Sequence, residues 1–418
     1  MLDSLLAADD SRCVTTSTAE APSATTSGLL RLMALATGLS VAGNYLAHPI
    51  LGLLQERLDM SETAAGLLVT AAQAGYAVGL VLLVPMADAV RRRPLALTLL
   101  VITAAALVAA GAAPSGTVLL VAATAAAITS VGAQVIVPYA AELAGPEHQA
   151  RAVGIVMSGL VLGTVVSRFL SGVLSDLAGW RTPYLVLAGL IVLVTVALAR
   201  ALPRHDPGRP GLTAAGYRAL LSSMAGLIRD LPVLRLRAVL IGLALGSFMV
   251  QGAAVTFLLS GSRFGWTPAA IGAIGLLGAV GALSGPTIGR FVDRGHGPRI
   301  TAGGLALQAI AWLLMIPAGG VIGLPALIAG LVLMGIGQQA ALNSSQAVVF
   351  SLRPEARGRI NAVFMGTFFL GGTLGSAATA ALWPLAGWTG ACLLGSGLAG
   401  AALVLYLAFR RVETAPSA

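Results

Sequence analysis

The sequence contains no lysine and few charged residues of any kind. All 25 basic residues are arginine, and charged residues make up only 10% of the 418 positions. Because a soluble domain carries about 25% charged residues, this composition excludes an ordinary soluble protein. The two cysteines, Cys13 and Cys392, lie in a polar tail and in an apolar run, and we expect no disulfide between them.

The residue patterns of catalysis are also missing. The sequence has no Cys/His spacing typical of a metal site and no phosphate loop of the Gly-x-x-x-x-Gly-Lys type. We therefore expect no metal, no cofactor and no enzymatic activity, and any transport would run downhill or on an ion gradient. The net charge of +9 would suit nucleic acid, but the arginines fall between apolar runs. That pattern indicates membrane topology and no nucleic-acid partner.

Long apolar runs dominate what is present. Hydrophobic residues form 57% of the chain, and a helix needs about 20 mostly apolar residues to cross a bilayer. Twelve such runs predict an all-α membrane protein with twelve transmembrane helices, which we number spans 1 to 12. They cover roughly residues 29–54, 64–86, 94–112, 117–142, 152–174, 183–202, 236–260, 268–289, 300–317, 322–350, 360–382 and 390–409.

The twelve runs form two groups of six. We predict a six-helix bundle over residues 28–202 and a second over residues 236–410. Residues 203–235 are the predicted cytoplasmic linker, and their mixture of apolar residues and arginine fits an amphipathic helix on the membrane surface. The polar segments 1–27 and 411–418 are expected to be cytoplasmic tails, the first of them disordered.

The two groups are copies of one unit. Residues 146–180 align with residues 354–388 without a gap at an offset of 208, and eleven of the thirty-five paired positions are identical. Each copy ends in Leu-Ala-Gly-Trp. Six spans per half give both copies the same orientation, which predicts a parallel repeat about an axis along the membrane normal.

Arginine is distributed unevenly between the two sides of the predicted bundle. With both termini in the cytoplasm, 21 arginines lie in tails, cytoplasmic loops or adjoining span ends. Arg57, Arg181 and Arg263 lie outside, and Arg168 lies within span 5. Because arginine is enriched in cytoplasmic loops, the sequence predicts a multi-pass protein of a bacterial plasma (inner) membrane with both termini in the cytoplasm.

Two loops at matching places carry an acidic signature. The loop after span 2 reads PMADAVRRRP at residues 85–94, and the loop after span 8 reads GRFVDRGHGPR at residues 289–299. Both resemble the major facilitator superfamily signature Gly-x-x-x-Asp-Arg-x-Gly-Arg-Arg. The resemblance implies two parallel six-helix repeats in the lipid bilayer, a small-molecule substrate and transport by alternating access, and we expect a monomer. It also implies a cytoplasmic gate formed by Asp88, Arg92, Asp293 and Arg294.

Residues 138–181 further resemble the bacterial branch of this superfamily that is named arabinose-efflux-permease-like and includes drug exporters. This resemblance implies efflux, with protons as the candidate coupling ion. Span 4 lacks the arginine that many proton-coupled drug exporters carry, so uptake of a small, anionic metabolite by a symporter or facilitator is the alternative. A membrane-embedded enzyme or a receptor is disfavoured, because the sequence has no catalytic cluster and no folded soluble domain.

Polar residues are concentrated on spans 1, 4, 7 and 10, which line the cavity in this superfamily. Polar side chains that face lipid are costly, so these residues are expected to face inward, as substrate contacts or as hydrogen bonds between helices. His48 and Glu142 are also the candidate coupling groups, since each side chain can exchange a proton. The cavity candidates on these spans are Asn44, Tyr45, His48, Gln134, Tyr139, Gln251, Gln338, Gln339 and Asn343.

Arg168 is the remaining cavity candidate. It lies about sixteen residues into span 5, roughly 24 Å from the cytoplasmic end at 1.5 Å per residue. Its forked donors suit a carboxylate or an amide oxygen, so we interpret it as a hydrogen-bond hub between spans 1 and 5 or as a substrate contact. The pairs Gly159/Gly163 and Gly371/Gly375 have small-residue spacing, and the resemblance implies that they pack the two halves together.

Overall fold

The computed structural model describes residues 27–145, 148–203, 211, 213–319, 323–353 and 356–410. These residues form helices and short connections, and no strand occurs among them. The predicted tails at 1–26 and 411–418 lie outside the described residues, whereas Ser27 already begins the first helix.

The first half of the chain folds into spans 1 to 6. A short 3-10 turn, Val84–Asp88, follows span 2. In chain order the helices are Ser27–Ala42 and Leu51–Leu58 (span 1), Glu62–Leu82 (span 2), Arg92–Gly111 (span 3), Gly116–Thr129 and Gly132–Ala144 (span 4), Gln149–Ala178 (span 5) and Thr182–Ala201 (span 6).

The second half repeats this order after a linker helix, Ala214–Asp230. Span 7 begins at Pro232, ahead of the predicted bundle boundary at residue 236. In chain order the helices are Pro232–Ser260 (span 7), Pro268–Gly275 and Gly278–Phe291 (span 8), Gly297–Met315 (span 9), Gly323–Ser351 (span 10) and Arg357–Phe409 (spans 11 and 12).

The prediction of an all-helical protein with twelve membrane-spanning helices is confirmed. Ten segments of the described chain are long and apolar enough to cross a membrane. The segment Gly358–Phe409 contains two of the spans, since its backbone leaves the helical region at Gly387, with φ 51° and ψ −142°. Span 8 is divided into two shorter helices around Leu276 and Leu277, so neither piece reaches the length of a full span alone.

Span 1 loses its regular helical form before Pro49, which has no N–H to donate. Two 3-10 turns, Gly43–Tyr45 and His48–Ile50, occupy this region. The amide of Ile50 donates to the Ala47 oxygen over 3.2 Å, which leaves the Leu46 oxygen free to accept a 2.6 Å hydrogen bond from Ser171 of span 5. The break therefore provides backbone acceptors near the interface between the halves.

The paired glycines have a different partner from the one that the resemblance implied. A Cβ atom on Gly163 would collide with the backbone oxygen of Gly38 in span 1, and one on Gly371 would collide with that of Gly242 in span 7. Spans 1 and 5, and equally spans 7 and 11, thus approach closely through backbone contacts. These glycines hold each half together internally, and other residues join the halves.

The halves pack against each other unevenly across the membrane. We call the face that bears the linker helix Ala214–Asp230 the linker side, and the opposite face the far side. Span 5 contacts the first helix of span 8, near the far side, much more extensively than the second. Spans 2 and 11 stay in contact over most of their length, from Gly66 against Ala380 to Val81 against Gly366.

Candidate substrate pathway

A hydrogen bond on the repeat axis closes the far side. The hydroxyl of Thr256 in span 7 donates to the main-chain oxygen of His48 in span 1 over 2.8 Å, and the two positions differ by 208, the offset of the repeat. The next pair at this offset is also in contact, because a Cβ atom on Gly52 would lie 3.0 Å from Ser260 Oγ. Spans 1 and 7 therefore cross each other on the pseudo-twofold axis.

Two further contacts between the halves flank this axis, and both involve residues that occupy equivalent positions in the two copies of the repeat. On one flank, a Cβ atom on Gly172 of span 5 would collide with the carbonyl oxygen of Pro268 at the start of span 8. Asp176, one turn further on, accepts a 3.0 Å hydrogen bond from the Ala269 amide at the N-terminus of span 8. On the other flank Ala380, the repeat partner of Gly172, packs against span 2.

The repeat partner of Arg168 also lies at this interface. Ser376 of span 11 donates to Thr70 Oγ1 of span 2 over 3.0 Å. At the repeat position where span 5 carries Arg168, span 11 therefore carries a serine that forms a direct contact between the halves.

On the linker side a cavity of about 640 Å³ lies between the halves, beside the contact of spans 2 and 11. The first half contributes Gln134, Arg92 and Glu142 to its wall, and the second contributes Arg359 and Asn361. Arg92 donates to Glu142 over 2.6 Å and to the Pro138 oxygen over 3.0 Å. The cavity thus has both apolar and polar walls, with an ion pair from the first half at its mouth.

A second, smaller cavity lies next to the closed end of the interface. Its volume is about 40 Å³, which is room for one or a few water-sized groups. His48 and Arg168 line it from the first half, and Gln251 and Thr256 line it from the second. Residues of both halves therefore meet here around a space with both polar and apolar walls.

His48, Arg168 and Gln251 line this smaller cavity, and Tyr45 contacts two of them from behind; we call Tyr45, His48, Arg168 and Gln251 the polar cluster. The Arg168 guanidinium carbon lies 4.9 Å from the centre of the Tyr45 ring, and the Tyr45 and His48 ring centres are 5.7 Å apart. Both ring nitrogens of His48 and the side-chain oxygen of Gln251 are buried without a hydrogen-bond partner of standard geometry among the described residues.

Several predicted cavity residues lie inside one half instead. Asn44 exchanges hydrogen bonds with Ser130 of span 4 at 3.2 and 3.3 Å, and Tyr139 is buried in the core of the first half. In the second half, Gln308 of span 9 donates to Gln338 over 2.6 Å. These groups join neighbouring helices, which is the alternative role that the sequence left open for them.

The other two candidates on span 10 bond to each other and to span 8. Gln339 donates to Asn343 over 2.7 Å, and Asn343 donates to the main-chain oxygen of Gly285 over 3.2 Å. Gln134 lies on the linker-side cavity, where its amide donates to the Tyr76 hydroxyl over 3.2 Å.

The expected gate residues are only partly brought together. The side chain of Asp88 lies outside the described residues, and Arg92 pairs with Glu142. Asp293 is exposed and forms no ion pair with any residue that the structure describes. Arg294 lies over the Phe291 ring at 5.8 Å.

Two contributors were not predicted from the sequence. Thr256 could have been found from the offset of 208, since it is the repeat partner of His48. Arg237, placed beside the linker by its position, is instead fully buried and donates to Thr301 over 2.8 Å and to Ser345 over 3.3 Å. It binds together spans 7, 9 and 10 within the second half.

Comparisons with a protein-family profile and with individual proteins agree with each other. The profile of the Major Facilitator Superfamily matches residues 33–322 and 264–418. An uncharacterized transporter, YgaY, of Escherichia coli O157:H7 is 36% identical over 388 residues, covering 93% of this chain and 97% of that protein. A probable transporter of Streptomyces coelicolor is 33% identical, covering 90% of this chain and 85% of that protein.

Among solved structures, the chain resembles a POT family transporter in complex with a thioalcohol-conjugated peptide. The TM-score is 0.75 at 15% identity, and the match covers 93% of this chain and 96% of that one. At this sequence identity, the similarity shows a shared fold.

Proposed function

Because the chain belongs to the major facilitator superfamily of membrane transporters, we propose that it exports a small organic molecule across a bacterial plasma membrane by alternating access. The arginine distribution supports a topology with both termini, and hence the linker side, in the cytoplasm. In that topology the 640 Å³ cavity is open to the cytoplasm.

One observation carries this proposal. The halves touch at the far side through spans 1 and 7 and through spans 5 and 8, whereas on the linker side a cavity lies between them beside the contact of spans 2 and 11. Two rigid bundles joined at one end of their interface can exchange that contact for one at the other end. The central space then becomes accessible from each side in turn.

Coupling to protons is the second part of the proposal. Glu142 forms its ion pair with Arg92 at the mouth of the cytoplasmic cavity. Protonation of the carboxylate would remove the attraction between the two groups and change the charge of the mouth by one unit. Glu142 is therefore the proposed site at which a proton is exchanged, with His48 at the closed end as the second group.

Uptake of a small anionic metabolite is the other candidate function, and Arg168 favours it. The guanidinium forms no ion pair with a described residue, which suits a negatively charged substrate. The direction of transport separates the two candidates more sharply than any binding measurement does.

Inside-out proteoliposomes test the direction and the coupling together. An acidic lumen should drive accumulation of a transported compound from a panel of radiolabelled drugs, sugars and organic acids. The Glu142→Gln variant should lose the dependence on the pH gradient, and the exposed Glu56→Gln variant is the matched control that should keep it. Accumulation only in right-side-out vesicles would assign uptake, and equilibration without any gradient effect would overturn the proton coupling.

Access itself is measured separately with thiol reagents. A cysteine at Asn361 lies in the cytoplasmic cavity, and one at Val255 lies beside the small cavity at the closed end of the interface. A transported compound should change the labelling rates of the two positions in opposite directions. If both rates always rise or fall together, alternating access is wrong.

A further inference from the structure

Arg168 carries a charge that no residue described in the structure neutralises. It lies deep in span 5, and neither a hydrogen bond nor an ion pair joins it to any residue described in the structure. Estimates for placing an arginine within a bilayer range from about 3 to over 10 kcal/mol. A fold that keeps such a cation at the interface of its two halves has a site that attracts an anion.

The position of the guanidinium is fixed by two contacts. Its central carbon lies over the Tyr45 ring, and the aliphatic stem packs on span 8, where a Cβ atom on Gly275 would lie 3.3 Å from the Arg168 Cβ. The N–H donors along the guanidinium edge have no hydrogen-bond partner among the described residues. This edge matches the two oxygens of a carboxylate, which can accept two parallel hydrogen bonds.

The second half supplies a complementary group. Gln251 lines the same cavity, and its side-chain oxygen is buried without a hydrogen-bond partner among the described residues. A Gln amide can turn its N–H₂ toward an acceptor, and the imidazole of His48 can donate through one ring nitrogen. The described residues that line the cavity include no Asp or Glu, and none of them therefore carries a negative charge that would compete with an incoming anion.

From this arrangement we infer that the polar cluster is a subsite for the carboxylate group of an organic anion. The inference rests on the proposed transport function and names its substrate class. The cavity of about 40 Å³ admits a carboxylate and little more, so the rest of the molecule occupies space outside the cluster. Because Arg168 and Gln251 belong to different halves, a bound carboxylate connects them at the closed end of the interface.

Thermal unfolding in detergent provides the test. The probes are acetate, lactate, benzoate and succinate, each compared with its neutral amide and with chloride at equal ionic strength. At least one carboxylate should raise the unfolding temperature of the wild-type protein, while its amide and chloride should not.

Variants then locate the site. Arg168→Gln should raise the half-saturating concentration of that carboxylate by about tenfold or more, and Arg168→Lys should retain part of the binding because it keeps the charge without the fork. Arg57→Gln, which removes an exposed arginine on the far side, is the control and should bind like the wild type. Gln251→Met provides a second test if the Arg168→Gln variant does not fold.

Each outcome has one meaning. Stabilisation by chloride that depends on Arg168 would reduce the site to a general anion site and overturn the carboxylate assignment. Stabilisation that persists in Arg168→Gln and Gln251→Met, or a panel without any effect, would also overturn it. Carboxylate binding that depends on Arg168, in a protein whose Asn361 and Val255 positions do not alternate in access, would refute the transport function alone.

Discussion

Replacing Gly172 by alanine should open the far side. The added Cβ atom would collide with the Pro268 carbonyl oxygen and lie 2.9 Å from the Ala269 Cα, well inside the usual carbon–carbon separation of about 3.5–4.0 Å. Both obstacles are backbone atoms, which cannot rotate away. Overpacking of this kind costs about 1–3 kcal/mol, and the strain exists only while spans 5 and 8 are in contact. The population with an open far side should therefore rise by a factor of about 5 to 150.

The assay is the labelling rate of a single cysteine at Val255 by a membrane-impermeant reagent applied from the far side. Cys13 and Cys392 are first replaced, and if opening is rare, the rate is proportional to the open population. Gly154→Ala is the matched control, since it lies in the same helix and a Cβ atom there meets nothing within 4 Å. A Gly172→Ala protein that folds normally and labels at the rate of this control would refute the proposed role of the span 5–span 8 contact.

Three further outcomes are expected. Cysteines at the exposed positions Pro114 and Ser262 should react with an impermeant reagent from outside the cell, whereas a cysteine at Ser222 in the linker helix should react only from inside. Labelling of Ser222→Cys from outside would contradict the topology. Asp293→Asn should slow transport at unchanged membrane abundance, because the loop signature assigns this carboxylate to the gate; a wild-type rate would remove it from the gate. Gly371→Ala should lower the free energy of unfolding by about 1–3 kcal/mol, because the added Cβ atom collides with Gly242. The far-side labelling rate should not change, since both residues belong to the same half. A changed labelling rate would show that the effect of the span 7–span 11 contact is not confined to one half.

The architecture could be predicted because it depends on length and composition. About 20 apolar residues are enough to cross a bilayer, and the repeat of residues 146–180 at 354–388 fixed the parallel arrangement of the halves. The division of span 8 and the kink between spans 11 and 12 at Gly387 depend on local backbone geometry. An apolar run gives no signal for either feature.

The candidate site was only partly predictable. Arg168 was identified because a charge in a span is rare, and Gln251 because span 7 has few polar residues. The spacing of Gln338 and Gln339 could not show that one faces span 9 and the other span 8, because a rotation of about 100° separates neighbours on a helix. The glycine pairs likewise indicate a close crossing but do not identify the partner helix.

The charge of Arg168, which forms no ion pair with a described residue, also has an electrical consequence. A unit charge that crosses the whole membrane field changes in energy by about 2.3 kcal/mol per 100 mV. If rocking of the halves carries Arg168 through a tenth of that field, the voltage shifts the balance between the two empty states by about 0.2 kcal/mol per 100 mV. A bound carboxylate would cancel the moving charge at this position. Through Arg168, the membrane potential would therefore act on the conformational change of the empty transporter and not on that of the transporter with its substrate bound.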